Sequence, residues 1–509
     1  MSSIDEKTSS EAAGSASYPA PVAGAAVVAT KPDMALQFLI DAKNDNVDIS
    51  SVDERKLRWK IDLRLMPILC TIYFLQYLDK TLLNYAAVMG IRKNLTSSQY
   101  SNLGTIFYVG YIVSEPITSY LMQRFPLGKY LGINVALWGV VVACHAACTT
   151  YAPLMVIRVL LGVFEACVAP ALILITGMWW TKPEQSRRTG LWYMQIGVAQ
   201  IVGSATSYGF QHVNSTKIAN WQILFLFMGC FTILIGLATI VLLPDNPMSA
   251  RFLSRGEKVL SIEHVRKNQT GIENKNFKWS HVRELLFKDI LTWPLFFITV
   301  LAMIDNGAVS NFSSIIISTF GYSSERTTII QMPSGAVSIV ATVFATYLVA
   351  AVGERALFVA IITVPSVIGA GLLLGLPAHL KAGKLFGVYL LNFCPAMLPM
   401  IYSWGAANTA GYTKRTMRNA LTLVAFCIGN IIGPQMFKSN DAPKYDPAKI
   451  ALIVTMSLVV VFAVGLRQLV LWENTKRDKE IAKIASENVE NIEFLDMTDI
   501  ENREFRYSQ

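Results

Sequence analysis

The stretch FLQYLDKTLLNYAAVMGI, residues 74–91, has the length and apolar content of a membrane-spanning helix, yet carries Asp79 and Lys80 at its centre. A charge in mid-membrane costs about 2.5–3.5 kcal/mol on insertion scales. Such residues persist where they face a protein interior or a wet cavity and do something there.

Working outward, a span needs about 20 largely apolar residues. Twelve such runs are predicted: 65–87, 101–122, 130–150, 153–178, 189–210, 222–243, 292–317, 328–351, 356–377, 384–406, 418–437 and 450–472. The whole chain agrees, with 53% hydrophobic and only 16% charged residues among 509, against about 25% charged in soluble domains. The net charge of +9 does not indicate nucleic acid, because the bases lie in tails and connections between apolar runs. Lys and Arg number 27 on the side of the N-terminal tail and nine on the other. Both termini and the central segment are therefore expected in the cytosol. The sequons at Asn94 and Asn214 then fall outside as glycosylation candidates.

The longest polar interval divides the spans six and six. This gives a disordered cytosolic tail 1–60, a six-helix bundle 61–243, a cytosolic loop 244–290, a second bundle 291–474 and a cytosolic tail 475–509. The halves echo each other. Asp79 precedes Ser97 by 18 residues, as Asp305 precedes Ser323, and TKPEQSRR after span four matches TKRTMRNA after span ten. Two parallel six-helix repeats follow, an all-α integral membrane fold with its site between the halves at mid-membrane.

Besides Asp79 and Lys80, the interior ionisable residues are Glu115, Arg158, Glu165 and Asp305, with His145 read as structural. Arg158, Gly162 and Glu165 are spaced i, i+4, i+7 and share one helix face. A fixed cation can hold a carboxylate through paired hydrogen bonds, and a poorly solvated carboxyl can gain and lose a proton near neutrality. Lys80 and Arg158 are thus expected to bind an anionic substrate, helped by Tyr77, Tyr111, Gln195 and Asn392. Asp79, Glu165 and Glu115 are expected to carry the coupling proton, with an Asp79–Arg158 pair when no substrate is bound. Each has a blander reading as an interhelix clamp. Arg124, Lys129, Asp305, Lys414 and Arg415 are gate candidates. Pro116, Pro170, Pro395, Pro399 and Pro434 should kink their spans.

The seven cysteines all fall in apolar runs and read as buried thiols, neither disulfides nor metal ligands. The histidines are scattered, and no P-loop or nucleophile motif is present, so an enzyme is not expected.

YLDKTLLNYAAVMGI, RVLLGVFEACVAPALILITGMWW, WGAANTAGYTKRTMRNAL and GNIIGPQ together resemble the fungal allantoate permease family, in the anion:cation symporter branch of the major facilitator superfamily. The resemblance covers roughly residues 60–475. It implies proton-coupled import of a small organic anion such as allantoate or ureidosuccinate, or of a related nutrient, by a monomer in the plasma membrane, with no cofactor beyond the proton. It also implies acids at Asp79 and Glu165 that take protons, and bases at Lys80 and Arg158 that bind the carboxylate. Lys80 stands where many relatives have arginine, and RFPLGKYLG is a degraded form of the superfamily loop. Two other readings remain: an uncoupled facilitator for a vitamin, amino acid or small peptide, or a nutrient sensor on a transporter scaffold. The acidic, apolar C-terminal tail is a candidate contact for trafficking partners.

Overall fold

The computed structural model describes residues 38–39, 41–42, 44–45, 52–213, 218–266, 278–410, 412–484, 498–501 and 505–508. Met1–Val47 forms a unit of its own, with only helical and turn residues described. Asp48–Gln509 forms the other, which holds every element discussed below. Asn214 lies outside the described residues, and Asn94 closes a 3-10 turn, Ile91–Asn94.

Among its described residues, the regular elements of the second unit are all helices. Its first half contains α1 (Glu54–Met89), α2 (Ser97–Arg124), α3 (Leu127–Cys144), α4 (Tyr151–Glu165), α5 (Val168–Trp179), α6 (Lys182–Tyr193), α7 (Gln195–Gln211) and α8 (Asn220–Leu242). Two connecting helices follow, α9 (Arg255–Arg266) and α10 (Trp279–Phe287). The second half contains α11 (Thr292–Ser318), α12 (Ser324–Ile330), α13 (Met332–Val352), α14 (Arg355–Gly375), α15 (Lys381–Leu391), α16 (Met397–Ala407), α17 (Tyr412–Gln435) and α18 (Asp446–Ile484). Spans four, five, eight and ten are each two helices in series, which gives twelve spans. Among the described residues, ten are long and apolar enough to cross a membrane by composition alone. Spans two and five fall short because they carry more polar groups, and both pack against the opposite half.

Proline explains most of the interruptions. Pro170 has no N–H for the carbonyl of Ala166, where span four breaks, and Pro395 has none for Leu391, where α15 ends. Pro333 does the same near the end of α12. Pro116 and Pro434, expected to kink their spans, lie within continuous helices. The end helices also outrun their apolar runs. Helix α1 starts at Glu54, capped by Asp53, and α18 continues to Ile484. The central segment, read as a loop, contains α9 and α10.

Hydrogen bonds between the halves, among the described residues, gather toward one end. Spans five and eight approach at Gly197 and Gly335, where a Cβ on either would stand 2.4 Å from the other's carbonyl oxygen. Only glycine permits that approach. Beyond it, Asn84 bonds Ser313 and Ser314, the Tyr100 hydroxyl donates to the Asn311 carbonyl, and Gln435 donates to Asn102 and Thr105. Ser324 bonds Val88 and Gln211. All these bonds lie toward the end opposite the chain's tails. Toward the tail-bearing, basic end, no ion pair among the described residues joins the two bundles.

Candidate functional site

The site begins where α1 crosses the middle of the bundle. Successive helical residues point about 100° apart, so Asp79 and Lys80 face different surroundings. Asp79 turns into the first half, facing Trp138 of span three and Thr232 of span six, and is 1% exposed with neither oxygen hydrogen-bonded. Lys80 turns toward the seam between the halves. Its ammonium lies 5.4 Å from the ring centre of Tyr108, 5.6 Å from Tyr77 and 5.7 Å from Phe426. Phe426 belongs to span eleven of the opposite half, so both halves build this cage. Each ring face attracts the cation while leaving it able to take an anion.

Arg158 and Glu165 share one face of α4 and are both buried. Gly162 between them sets the depth of span two, since a Cβ there would meet the Phe107 carbonyl oxygen at 2.2 Å. That approach brings Tyr108 and Tyr111 beside the charges. Arg158 lies within electrostatic reach of Asp79, Glu165, Tyr100 and Tyr108, and Glu165 within reach of Asp79 and Lys80. The expected Asp79–Arg158 pair is open in this conformation: both Asp79 oxygens and Arg158 Nη2 are buried without a hydrogen-bond partner. Asp79 faces Trp138 and Thr232 instead.

Beside the cage, Gln200 Nε2 donates to the Tyr77 hydroxyl at 3.0 Å and to Asn392 Oδ1 at 3.2 Å. Ser338 Oγ donates to Gln200 Oε1 at 3.3 Å and to the Asn392 carbonyl at 3.1 Å. Spans one, five, eight and ten thus meet at one polar node. Tyr77 and Asn392 stand in this node, whereas the Gln195 amide turns back to donate to the Leu191 carbonyl. Gln200 takes that place, five residues on. It lies on the small-residue face with Gly197, Gly203 and Ser204, which is the sequence signal that marks it.

Asp305 is fully buried beside Cys394, with both oxygens unpartnered, and no Lys or Arg among the described residues forms an ion pair with it. Glu115 is half-buried, with Oε2 unpartnered, near Tyr111, Tyr402 and Cys427. His145 stacks on Phe225 at 4.9 Å and bonds the Val141 carbonyl.

The gate candidates separate. Arg124 is exposed over Tyr120, and the Lys129 backbone N–H is held by Asp245 at 3.2 Å. Neither side chain forms an ion pair among the described residues, and Arg415 is only half-buried. Lys414 is fully buried among Glu284 at 2.9 Å, Asp289 at 3.0 Å and Asp499 at 2.7 Å. Arg418, which the sequence reading missed, bonds Asp289 at 2.5 Å. Its signal was a third base one turn after Lys414. Beyond α18, the described residues 498–501 and 505–508 are docked, with the Tyr507 hydroxyl on Asp499 and Arg477 on the Asp499 and Phe505 carbonyls.

Two six-span bundles around a shared polar node define a transporter of the major facilitator type. The Major Facilitator Superfamily model matches residues 69–434, and the chain belongs to that superfamily. It is 45% identical to the thiamine pathway transporter THI73 of Saccharomyces cerevisiae, over 89% of this chain and 86% of that one. It is 36% identical to the allantoate permease of the same yeast, over 94% and 91%. Within the superfamily it therefore belongs to the fungal allantoate permease/THI73 family, whose members are transporters and not enzymes. Among solved structures, a bacterial homologue of the lysosomal transporter Spinster superposes with a TM-score of 0.59 at 16% identity, covering 81% of this chain and 96% of that one. The D-xylose–proton symporter gives 0.58 at 12%, covering 79% and 97%. These two bear on the fold alone.

Proposed function

We propose that the chain is a secondary active importer of a small organic anion, an allantoate- or ureidosuccinate-like carboxylate, driven by proton symport. The observation that carries this reading is the Lys80 ammonium at the seam, caged by Tyr77, Tyr108 and Phe426 from both halves, with buried Asp79, neither oxygen partnered, and buried Glu165, its Oε2 unpartnered, behind it. A carboxylate entering the seam finds a cation to bind, and Arg158 lies within electrostatic reach of the same acids. Protons on Asp79 and Glu165 leave net positive charge facing the substrate; their departure returns Lys80 and Arg158 to internal partners and weakens the anion's hold. Ligand and proton thus favour the same closed state.

The sidedness follows the basic residues, with both tails cytosolic; the plasma membrane is the expected site for a nutrient importer. On that reading the conformation is inward-facing, sealed at the outer end by the Asn84, Tyr100 and Gln435 bonds. The names of the relatives support a nutrient role; allantoate is itself a carboxylate.

The test is uptake in cells lacking their own carriers of this family. Labelled allantoate, ureidosuccinate, nicotinate, pantothenate, cysteine and a dipeptide are offered at acidic and neutral pH. Uptake of one anion, stronger in acid and abolished when the proton gradient collapses, is expected. Uptake indifferent to that gradient would leave a facilitator. No uptake of any anion by a protein shown to reach the surface would overturn the proposal.

A further inference from the structure

Helix α10 carries a face that the bundle does not cover. Trp279, Arg283 and Phe287 recur at every fourth position and share one side, with Trp279 75% and Phe287 80% exposed. Exposed Lys288 follows directly. The opposite side is fixed to the protein. His281, Val282 and Leu285 are buried, and Glu284 reaches Lys414 at 2.9 Å. The Trp293 indole donates to the Leu286 carbonyl at 2.8 Å and locks the end of α10 onto span seven. Trp293 and Phe297, 44% and 47% exposed, continue the aromatic stripe onto the outside of that span.

A nine-residue helix with two large rings mostly exposed would be an unusual expense of apolar surface. Rings alternating with cations on a helix beside spanning segments fit the headgroup layer, where tryptophan and basic residues concentrate. Other helices at the same end mark that level independently. Trp59 on α1 is 68% exposed in a run with Lys56 and Lys60, and Trp472 on α18 is 61% exposed with Lys476 5.7 Å over its ring. The outer face of α10 is distinct in continuing onto the bundle's apolar surface while its inner face holds a buried lysine.

We propose that this face binds anionic phospholipid headgroups. Arg283 and Lys288 take the headgroup charge, while Trp279 and Phe287 enter the boundary with the acyl chains. Because Glu284 ties the other side of α10 to Lys414, a lipid seated here also fixes the start of span eleven, the helix that supplies Phe426 to the Lys80 cage.

The experiment uses the full chain in phosphatidylcholine nanodiscs containing a minor share of phosphatidylserine. The serine-to-choline lipid ratio retained by the purified protein is counted by mass spectrometry. Enrichment of phosphatidylserine is expected, falling about five-fold for each of Arg283→Gln and Lys288→Gln. Lys479→Gln, an exposed charge on α18 two turns beyond the level of Trp472, should leave it unchanged. Absence of enrichment, or an equal fall with Lys479→Gln, overturns the proposal. A second reading places the ring: lipids brominated near the headgroup should quench less fluorescence in Trp279→Phe than in the parent. Unchanged quenching would mean that the face looks to water or to a protein, and would also overturn it.

Discussion

Gln200 of span five and Asn392 of span ten meet at 3.2 Å across the seam between the halves, the innermost of the hydrogen bonds that close the far end. The same glutamine accepts from Ser338 at 3.3 Å. A net hydrogen bond is worth about 0.5–1.5 kcal/mol. Gln200→Leu should therefore favour opening of the far end by roughly five-fold or more. A cysteine placed at Thr105, whose hydroxyl joins the far-end seal, reads this out. Its labelling from outside should speed up in the Gln200→Leu background, and unchanged labelling would mean the node does not set the equilibrium.

The cage around Lys80 makes a second prediction. Lys80→Gln should abolish uptake of the anion, and Lys80→Arg should retain a measurable fraction, because charge survives while shape changes. Phe426→Leu removes one ring and should weaken apparent substrate affinity by about two- to thirty-fold. Full uptake by Lys80→Gln would remove this lysine from the site.

Asp79 separates coupling from binding. Asp79→Asn should lose concentrative uptake driven by a pH gradient while keeping exchange of labelled for unlabelled substrate at equal pH. Glu165→Gln and Glu115→Gln belong in the same series. If concentrative uptake survives all three single substitutions, none of these carboxyls alone couples the proton.

How much of this was legible in advance follows from where each signal lies. Apolar length and the placement of bases are properties of the chain alone, so twelve spans and their division were readable. The proline breaks at Ala166 and Leu391 followed from a missing donor. The fate of individual polar residues was harder, because a residue's face depends on helix phase and on which neighbour comes close. Gln195 and Gln200 are the same residue type five positions apart, yet only one faces the seam. Lys414 looked like a gate charge because its partners Glu284, Asp289 and Asp499 are 130, 125 and 85 residues away. Nothing local announces such a cluster.

That cluster predicts a stability effect. Lys414→Met would leave Asp289 and Asp499 buried with one cation fewer, and loss of one partner from a buried ion cluster costs about 3–5 kcal/mol. A lower melting temperature in detergent is expected. Adding Asp499→Asn to Lys414→Met should restore part of it, because the uncompensated charge is then removed. Equal melting temperatures for parent and Lys414→Met would show that Arg418 suffices.

Acid should act at the basic end of the first half. Burial opposes ionisation of Glu184, but the Thr181 N–H and the His264 ring outweigh it and hold the carboxyl at about 2. An unfolded glutamate titrates near 4.3. A depressed carboxyl contributes stability that is complete above the unfolded value and is lost as pH falls toward the folded one. Glu184 also faces Arg58 at 3.4 Å, and α1 is further tied by Lys60–Glu257 and Asp62–Arg188. The melting temperature should therefore fall between about pH 4.5 and pH 2, and Glu184→Gln should flatten part of that fall. An identical pH profile in the variant would assign the acid loss to other carboxylates.

Two glycines in span four provide the sharpest contrast. A Cβ at Gly162 would stand 2.2 Å from the Phe107 carbonyl oxygen, whereas one at Gly177 would meet nothing within 4 Å. Gly177→Ala adds a better helix former in open space and should be neutral, or stabilising by up to about 1 kcal/mol. Gly162→Ala must push spans two and four apart, moving Tyr108 and Tyr111 away from Lys80, Arg158 and Glu165. Uptake should fall by at least ten-fold even where surface expression matches the Gly177→Ala control. Normal uptake by Gly162→Ala would mean that span two can retreat without disturbing the cage, and that the close approach serves packing alone.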